Sequence, residues 1–393
     1  MNLKMKYSCL ILLVFTFSAS HGAVDFGFAG DILTSTGNIL KSVISKSLKL
    51  NQSPDDFFEE FKNILIGYPF EPGFMFVSTL CSIVVSEENI KPRIRPSIEK
   101  MNYVLKTKDR NISVPLNDPV ELWSLDDFNR DWPTVIMVTG WTTNISEGTA
   151  ADSIYDAYEC RGNVNFVLID TAGFVDTIYS WAAFNTEEIG NILADSLAIL
   201  TESEYDMENI TLIGHSLGAQ ICGSAGRNFY NKTNKLLPKI IGLDPANPCF
   251  DMGESLTGLY RGDADFVIVL HSNPGIFGKA DPLGDIDFYV NGLRPKAPGC
   301  FTITCSHGRA VEYYAESVYP GNEHNFMAVK CNSLSALEQN SCKGIPIPMG
   351  YATPTNVKGN YFLKVNKKSP YGKNSTKNFV PICQVFNDSM SYN

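Results

Sequence analysis

Apolar positions along the chain follow three successive patterns. The first is one short run, Cys9 to Phe17, preceded by Lys4 and Lys6 and followed by the small residues Ser20 and Gly22. A charged start, a brief apolar core and a small-residue exit are the layout of a cleaved secretory signal. The run is well short of the roughly 20 residues a spanning helix needs, so residues 1–22 are expected to be removed on export. In the second pattern, from Ala23 to Ser86, apolar residues recur at helical spacing. Ile32, Leu33, Leu40, Val43, Ile44 and Leu48 form one such face, and "SPDDFFEEFKNILIG" reads as another helix, capped by Ser53 with Pro54 at its first position. A helical extension over 23–86, packed on a main domain, is expected.

From residue 87 onward the period changes again. Short β-branched runs, "PTVIMVTG", "NVNFVLIDTAG", "ITLIGHS", "KIIGLDPA", "DFVIVLHS" and "IDFYVNG", alternate with longer helical patterns such as "NTEEIGNILADSLAILTESEYDM". Runs apolar on both faces and separated by helices predict an α/β domain with a mostly parallel central sheet flanked by helices, over 87–393. The stretch Tyr313–Asn393 is rich in Pro, Gly and Asn and carries no strong period.

Composition narrows the function classes. Of 393 residues 44% are hydrophobic, enough for a sizeable core, and the formal net charge is −10. An acidic chain disfavours nucleic acid as a partner, and electrostatic docking to anionic lipid, without touching apolar contact with a lipid surface. No second segment is long and apolar enough to span a membrane. Asn51, Asn111, Asn144, Asn209, Asn231, Asn374 and Asn387 head N-x-S/T acceptor sequences. Apart from Cys9 of the signal the chain has nine cysteines; after export most should pair, and an odd number leaves one over.

Candidate chemistry centres on "LIGHSLGAQICG", which sets Ser216 in a G-x-S-x-G frame directly after an apolar run. A nucleophile on a sharp strand-to-helix turn needs neighbours without bulk, and the helix N-terminus favours negative charge beside it. The backbone N–H of Leu217 would then face an oxyanion. A serine needs a base and the base an orienting acid, in the order Ser, acid, His. His21 lies in the signal and His215 adjoins the serine. His271 ends a strand, where a hydrogen-bonded structural histidine is expected, and His324 has no framing signal. His307, beside Cys305 and ahead of a helical pattern, is the favoured base. Asp244, at the tip of "KIIGLD" and before "PANP", is the favoured acid, placed where ligands bind in open α/β sheets. "PTVIMVTGWTTN" offers the second oxyanion donor, the backbone N–H of Trp141.

"VTGW", "GHSLGAQ", "GLDPANPCF", "DFVIVLHS", "GDIDFYVNG" and "CSHGRAVEYYAES", in this order, resemble the pancreatic-lipase family of animal secreted lipases, from about Met101 to Cys383. The resemblance implies an α/β-hydrolase fold. It also implies Ser216 as nucleophile, Asp244 as orienting acid, His307 as general base and acid, and Trp141 with Leu217 as oxyanion donors. It implies no cofactor and no metal.

The departures from the family pattern bear on the substrate. Thr139 stands where most members carry histidine. Only "FTIT" separates Cys300 from Cys305, the cysteines that in digestive members close a long lid, and "SNPGIFGKADPLGD" is short as well. Such loops resemble the phospholipase A1 members. The stretch after His307 is expected to complete the catalytic domain, leaving no C-terminal β-sandwich and no colipase-like helper. By the same resemblance Cys300–Cys305 and Cys331–Cys342 are expected disulfides. Cys81–Cys160 is expected as a third, Cys222 is expected as a buried thiol, and Cys249 and Cys383 are left unassigned. The expectation is a secreted, extracellular carboxylic-ester hydrolase acting at a lipid–water surface, releasing a fatty acid from glycerophospholipid. The alternatives are a triacylglycerol or general lipid esterase on the same triad, and a catalytically silent lipid-binding or storage protein on the lipase scaffold, like the insect yolk proteins.

Overall fold

The structure is a computed structural model and describes residues 95–141, 150–176, 179–203, 205–250, 256–339, 341–376 and 383. The expected signal peptide, the helical extension over 23–86 and Cys81 lie outside these residues, as does Asn144.

Among the described residues eleven strands make one sheet: β1 (Asn102–Lys106), β2 (Asn111–Pro115), β3 (Thr134–Val138), β4 (Asn165–Asp170), β5 (Ile210–His215), β6 (Lys239–Leu243), β7 (Phe266–His271), β8 (Ile286–Val290), β9 (Met327–Cys331), β10 (Ile347–Pro348) and β11 (Gly359–Leu363). Their spatial order is β10-β9-β11-β8-β7-β6-β5-β3-β4-β1-β2. Every neighbouring pair from β11 through β4 is parallel. Antiparallel pairs finish both edges, β4–β1–β2 on one side and β11–β9–β10 on the other. The α-helices among the described residues are α1 (Val120–Trp123), α2 (Ala150–Arg161), α3 (Tyr179–Glu202), α4 (Leu217–Thr233), α5 (Ile303–Val318) and α6 (Leu334–Glu338).

Two large apolar clusters flank the sheet because successive side chains on a strand point to opposite faces. In β3, Ile136 and Val138 join one cluster while Val135 and Met137 join the other. The first cluster is closed by α3 and α4 through Ile189, Leu193, Leu197, Ile221, Ala225 and Phe229. The second is closed by α2 and α5 through Ile154, Ala157, Ala310, Val311, Tyr314 and Val318. Helices on both faces of a largely parallel sheet, with a sharp β5–α4 turn at its centre, make this the α/β-hydrolase fold.

Two parts of the sheet differ from the sequence-based expectation. The β1–β2 pair and the strands β9 and β11 were not among the apolar runs that predicted strands. They sit at or near the edges, where burial is partial: β2 and β9 mix buried positions with exposed ones. A weak period is what an edge strand produces. The helix expected in "NTEEIGNILADSLAILTESEYDM" begins earlier, at Tyr179, and ends at Glu202.

The cysteines require one correction. Cys160 is joined to Cys383, not to Cys81, across 223 positions of sequence and a Cα separation of 5.3 Å. Nothing in spacing pointed to this, since only the fold brings the end of α2 beside the C-terminal stretch. Cys300–Cys305 and Cys331–Cys342 are bridged, with Cα separations of 5.6 and 4.5 Å, and Cys249 is disulfide-bonded as well. Cys222 is a buried free thiol on α4, and burial pushes its pKa well up.

Candidate active site

Ser216 is the single residue between the end of β5 and the start of α4. Its backbone has φ 58° and ψ −123°, a conformation that strains a non-glycine residue and costs about 1–3 kcal/mol. Hydrogen bonds hold it there. Ser216 N–H donates to Leu243 O at 3.1 Å, and Ser216 O accepts from Ala219 N and Ala246 N at 3.1 and 3.2 Å. The flanking glycines are needed for close approach. A Cβ on Gly214 would sit 2.5 Å from the Ala219 backbone, and one on Gly218 would strike Val138 O. The same contact presses the end of β3 against the first turn of α4, which brings Thr139 and Gly140 to the serine. Thr139 is buried, as is Ser216.

Asp244 follows β6 directly, is fully buried and has φ 44°. Its Oδ1 accepts the N–H groups of Ser272 and Asn273 at 2.8 and 2.9 Å. Its Oδ2 receives Nδ1–H of His307 at 2.5 Å. The two amides therefore settle which carboxylate oxygen meets the imidazole. His307 stands in the second turn of α5, which Thr302 caps by accepting Cys305 N–H at 3.2 Å. The short disulfide loop is thus the N-terminus of the histidine's helix, and Phe301 at its tip is 79% exposed. Phe277 packs on the His307 ring at 5.3 Å.

His215, the neighbour of Ser216, completes the arrangement. Its ring lies 4.7 Å from that of His307, and its Nε2–H donates to His307 O at 3.3 Å. Burial, and after it the nearby His307, holds the His215 pKa down at about 3, so it is a neutral donor at ordinary pH. Sequence reasoning passed over this residue, whose only signal was its place beside the serine.

Leu217 is the first residue of α4, and the first N–H groups of a helix have no partner within it. Trp141 is half-buried and meets Tyr179 edge-on, with ring centroids 5.1 Å apart. The other histidines fall outside this cluster. His271 is fully buried and bonded to Lys279 O and Asp287, and His324 is exposed. Among the described residues no group of three or more His, Cys, Asp or Glu could hold a metal ion, and no helix is long and apolar enough to cross a membrane. Asn111, Asn209, Asn231 and Asn374 are all exposed.

A strained serine at a helix N-terminus, with a histidine locked to a buried carboxylate beside it, is an arrangement suited to acyl transfer. A family model described as Lipase matches residues 84–371. Vitellogenin-1 of Ceratitis capitata is 40% identical over 231 residues, 58% of this chain and 52% of that protein. Phospholipase A1 of Vespa crabro is 32% identical over 270 residues, 62% of this chain and 85% of that protein. Pancreatic lipase-related protein 2 of Cavia porcellus is 31% identical over 254 residues, 62% of this chain and 57% of that protein. Against several of these curated relatives, the first included, the chain spans about half their length.

Proposed function

The chain belongs to the Lipase family, and on that premise we propose that it is a serine-dependent hydrolase of lipid esters, with phospholipase A1-like release of a fatty acid from glycerophospholipid as its reaction. The observation that carries the proposal is the 2.5 Å bond from His307 Nδ1 to Asp244 Oδ2 beside the strained Ser216 turn. With Nδ1 engaged, Nε2 is the nitrogen left to take the serine proton. Ser216 Oγ attacks the acyl carbonyl, and the oxyanion draws on the N–H groups of Leu217 and Trp141. His307 returns the proton to the leaving alcohol, and water then hydrolyses the acyl-enzyme by the same route in reverse. Acyl transfer of this kind calls for neither metal nor organic cofactor.

The phospholipid preference draws on the four-residue loop between Cys300 and Cys305, too short to fold over a polar head group, and on the similarity to a protein named phospholipase A1. The setting proposed is extracellular, after removal of residues 1–22, at a lipid–water surface. The second reading, a silent lipid-binding or storage protein, is favoured by the relatives named vitellogenin. Against it count the retention of Ser216, Asp244 and His307 in sequence and the hydrogen bond between the last two.

Hydrolysis of phosphatidylcholine and triacylglycerol by the secreted protein, side by side with Ser216→Ala, tests the proposal. Release of the sn-1 acyl chain from phospholipid, lost in Ser216→Ala, is the expected result. Triacylglycerol hydrolysis alone would overturn the substrate class. A folded wild type that neither hydrolyses lipid nor takes a phosphonate label at Ser216 would overturn the enzyme reading in favour of the storage protein.

A further inference from the structure

A second histidine–carboxylate pair lies behind the proposed acid. We infer that His271 and Asp287 are positioning residues that set the geometry of Asp244, and through it the hydrogen bond to His307. The inference rests on the proposed reading of Ser216, Asp244 and His307.

His271 is the last residue of β7, and the main chain on each side of it grips Asp244. Leu270 O, one residue before, accepts Asp244 N–H at 2.7 Å. The N–H of Ser272, one residue after, belongs to the peptide group that begins at His271, and it donates to Asp244 Oδ1 at 2.8 Å. Any rotation of the chain at His271 therefore moves a donor on the carboxylate.

The side chain of His271 prevents that rotation. Its Nδ1–H donates to Lys279 O at 2.8 Å, and its Nε2 is hydrogen-bonded to Asp287 Oδ1 at 2.9 Å. Both partners are fixed. Lys279 N–H donates to Pro245 O at 2.8 Å, so the Lys279 backbone ties His271 to the residue after Asp244. The result is a closed loop through Asp244, Pro245, Lys279, His271 and Ser272. Asp287 is itself held by Leu283 N–H on Oδ1 and Gly284 N–H on Oδ2, at 2.9 and 3.0 Å. The His271 ring lies flat on Tyr289, centroids 4.2 Å apart and planes 5° from parallel, and Tyr289 OH donates to Ala280 O at 2.9 Å. His271 and Asp287 are both fully buried.

Gly278, on the same loop, backs directly onto the Asp244 carboxylate, where a Cβ would overlap it. A carboxylate seated this tightly has little tolerance, and misplacement of a catalytic group by about 1 Å lowers turnover by roughly 10²-fold. A merely structural buried pair would hold the fold together equally well wherever its hydrogen bonds led. This one leads by two routes to the same carboxylate.

The test uses the full secreted chain carrying His271→Gln, Asp287→Asn or Tyr289→Phe. Tyr103→Phe, which removes a buried hydrogen bond between β1 and Ser196 of α3, serves as a stability control. Two readouts are taken on folded protein: kcat and KM on a soluble short-chain ester, and the downfield proton resonance of the His307–Asp244 hydrogen bond. His271→Gln and Asp287→Asn should lower kcat by about 10²-fold with KM unchanged, and Tyr289→Phe by several-fold. All three should move the resonance upfield, whereas Tyr103→Phe should lower the melting temperature and leave both readouts alone. Wild-type kcat and an unmoved resonance in folded variants would overturn the inference, as would the same kcat loss in Tyr103→Phe. If His271→Gln does not fold, Asp287→Asn and Tyr289→Phe decide. The resonance does not depend on turnover, so a failure of the nucleophile reading, seen as unchanged activity in Ser216→Ala, is distinguishable from a failure of this one.

Discussion

Acid should destabilise this protein through His215 in particular. The buried ring titrates near pH 3, against an ordinary value of 6.5, because burial first and His307 second oppose its charge. A histidine with a depressed folded-state pKa refuses a proton that the unfolded chain accepts. Stability is therefore complete above about pH 6.5 and declines as the pH falls toward 3. At 1.36 kcal/mol per pH unit, the decline from this residue reaches about 2 kcal/mol near pH 5 and about 5 kcal/mol near pH 3. The perturbation that isolates it is His215→Gln, which keeps an N–H donor for His307 O and removes the titration. Urea unfolding with disulfides intact, at about pH 7.5, 6 and 5, gives the free energies directly. At pH 7.5 the variant should be less stable by about 1 kcal/mol, the scale of one weakened hydrogen bond. Between pH 7.5 and 5 it should lose about 2 kcal/mol less than wild type, so that the two stability curves converge and cross. Parallel curves would refute the reasoning, because they would mean that His215 takes its proton as readily in the folded protein as in the unfolded chain.

Further predictions concern the site and its frame. Asp244→Asn should leave the fold intact and lower kcat by roughly 10⁴-fold, as loss of the orienting carboxylate does in a serine triad, measured on any substrate the wild type turns over. Gly140→Ala would place a Cβ 2.6 Å from Ser216 Cβ and 2.8 Å from His215 O. A shift of the proposed oxyanion loop by several tenths of an ångström should follow, with kcat down by about 10²-fold and stability down by about 1–3 kcal/mol, read by steady-state kinetics and urea unfolding. Cys383→Ser opens a loop that spans 223 positions. In the chain-entropy account it should lower stability by about 5 kcal/mol, and mapping of the unreduced wild type should recover Cys160 and Cys383 in one linked peptide.

The pattern of the chain determined the central architecture. The runs that become β3 to β8 are buried at nearly every position and mostly apolar because helices cover both faces of the sheet, and a strand buried on both sides has no polar face to show. The elbow was legible for a similar reason. Gly214 and Gly218 are local requirements of a tight turn, so they stand in sequence beside the serine they serve, and Asp244 stands directly before the proline that ends its strand. The edge strands were not legible, since half-exposed positions dilute the period. Nor was the partner of Cys160, which is distant in sequence. The same holds for His215 and His271. Each is an isolated histidine in sequence, and its importance lies in what surrounds it: burial and the His307 carbonyl for one, Lys279, Asp287 and the Asp244 loop for the other. Sequence carries what neighbouring residues impose on each other through backbone geometry and periodic burial. Hydrogen-bond partners, pKa shifts and crosslinks between distant segments depend on which loops the sheet gathers at its C-terminal edge, and that is decided only when the chain is folded.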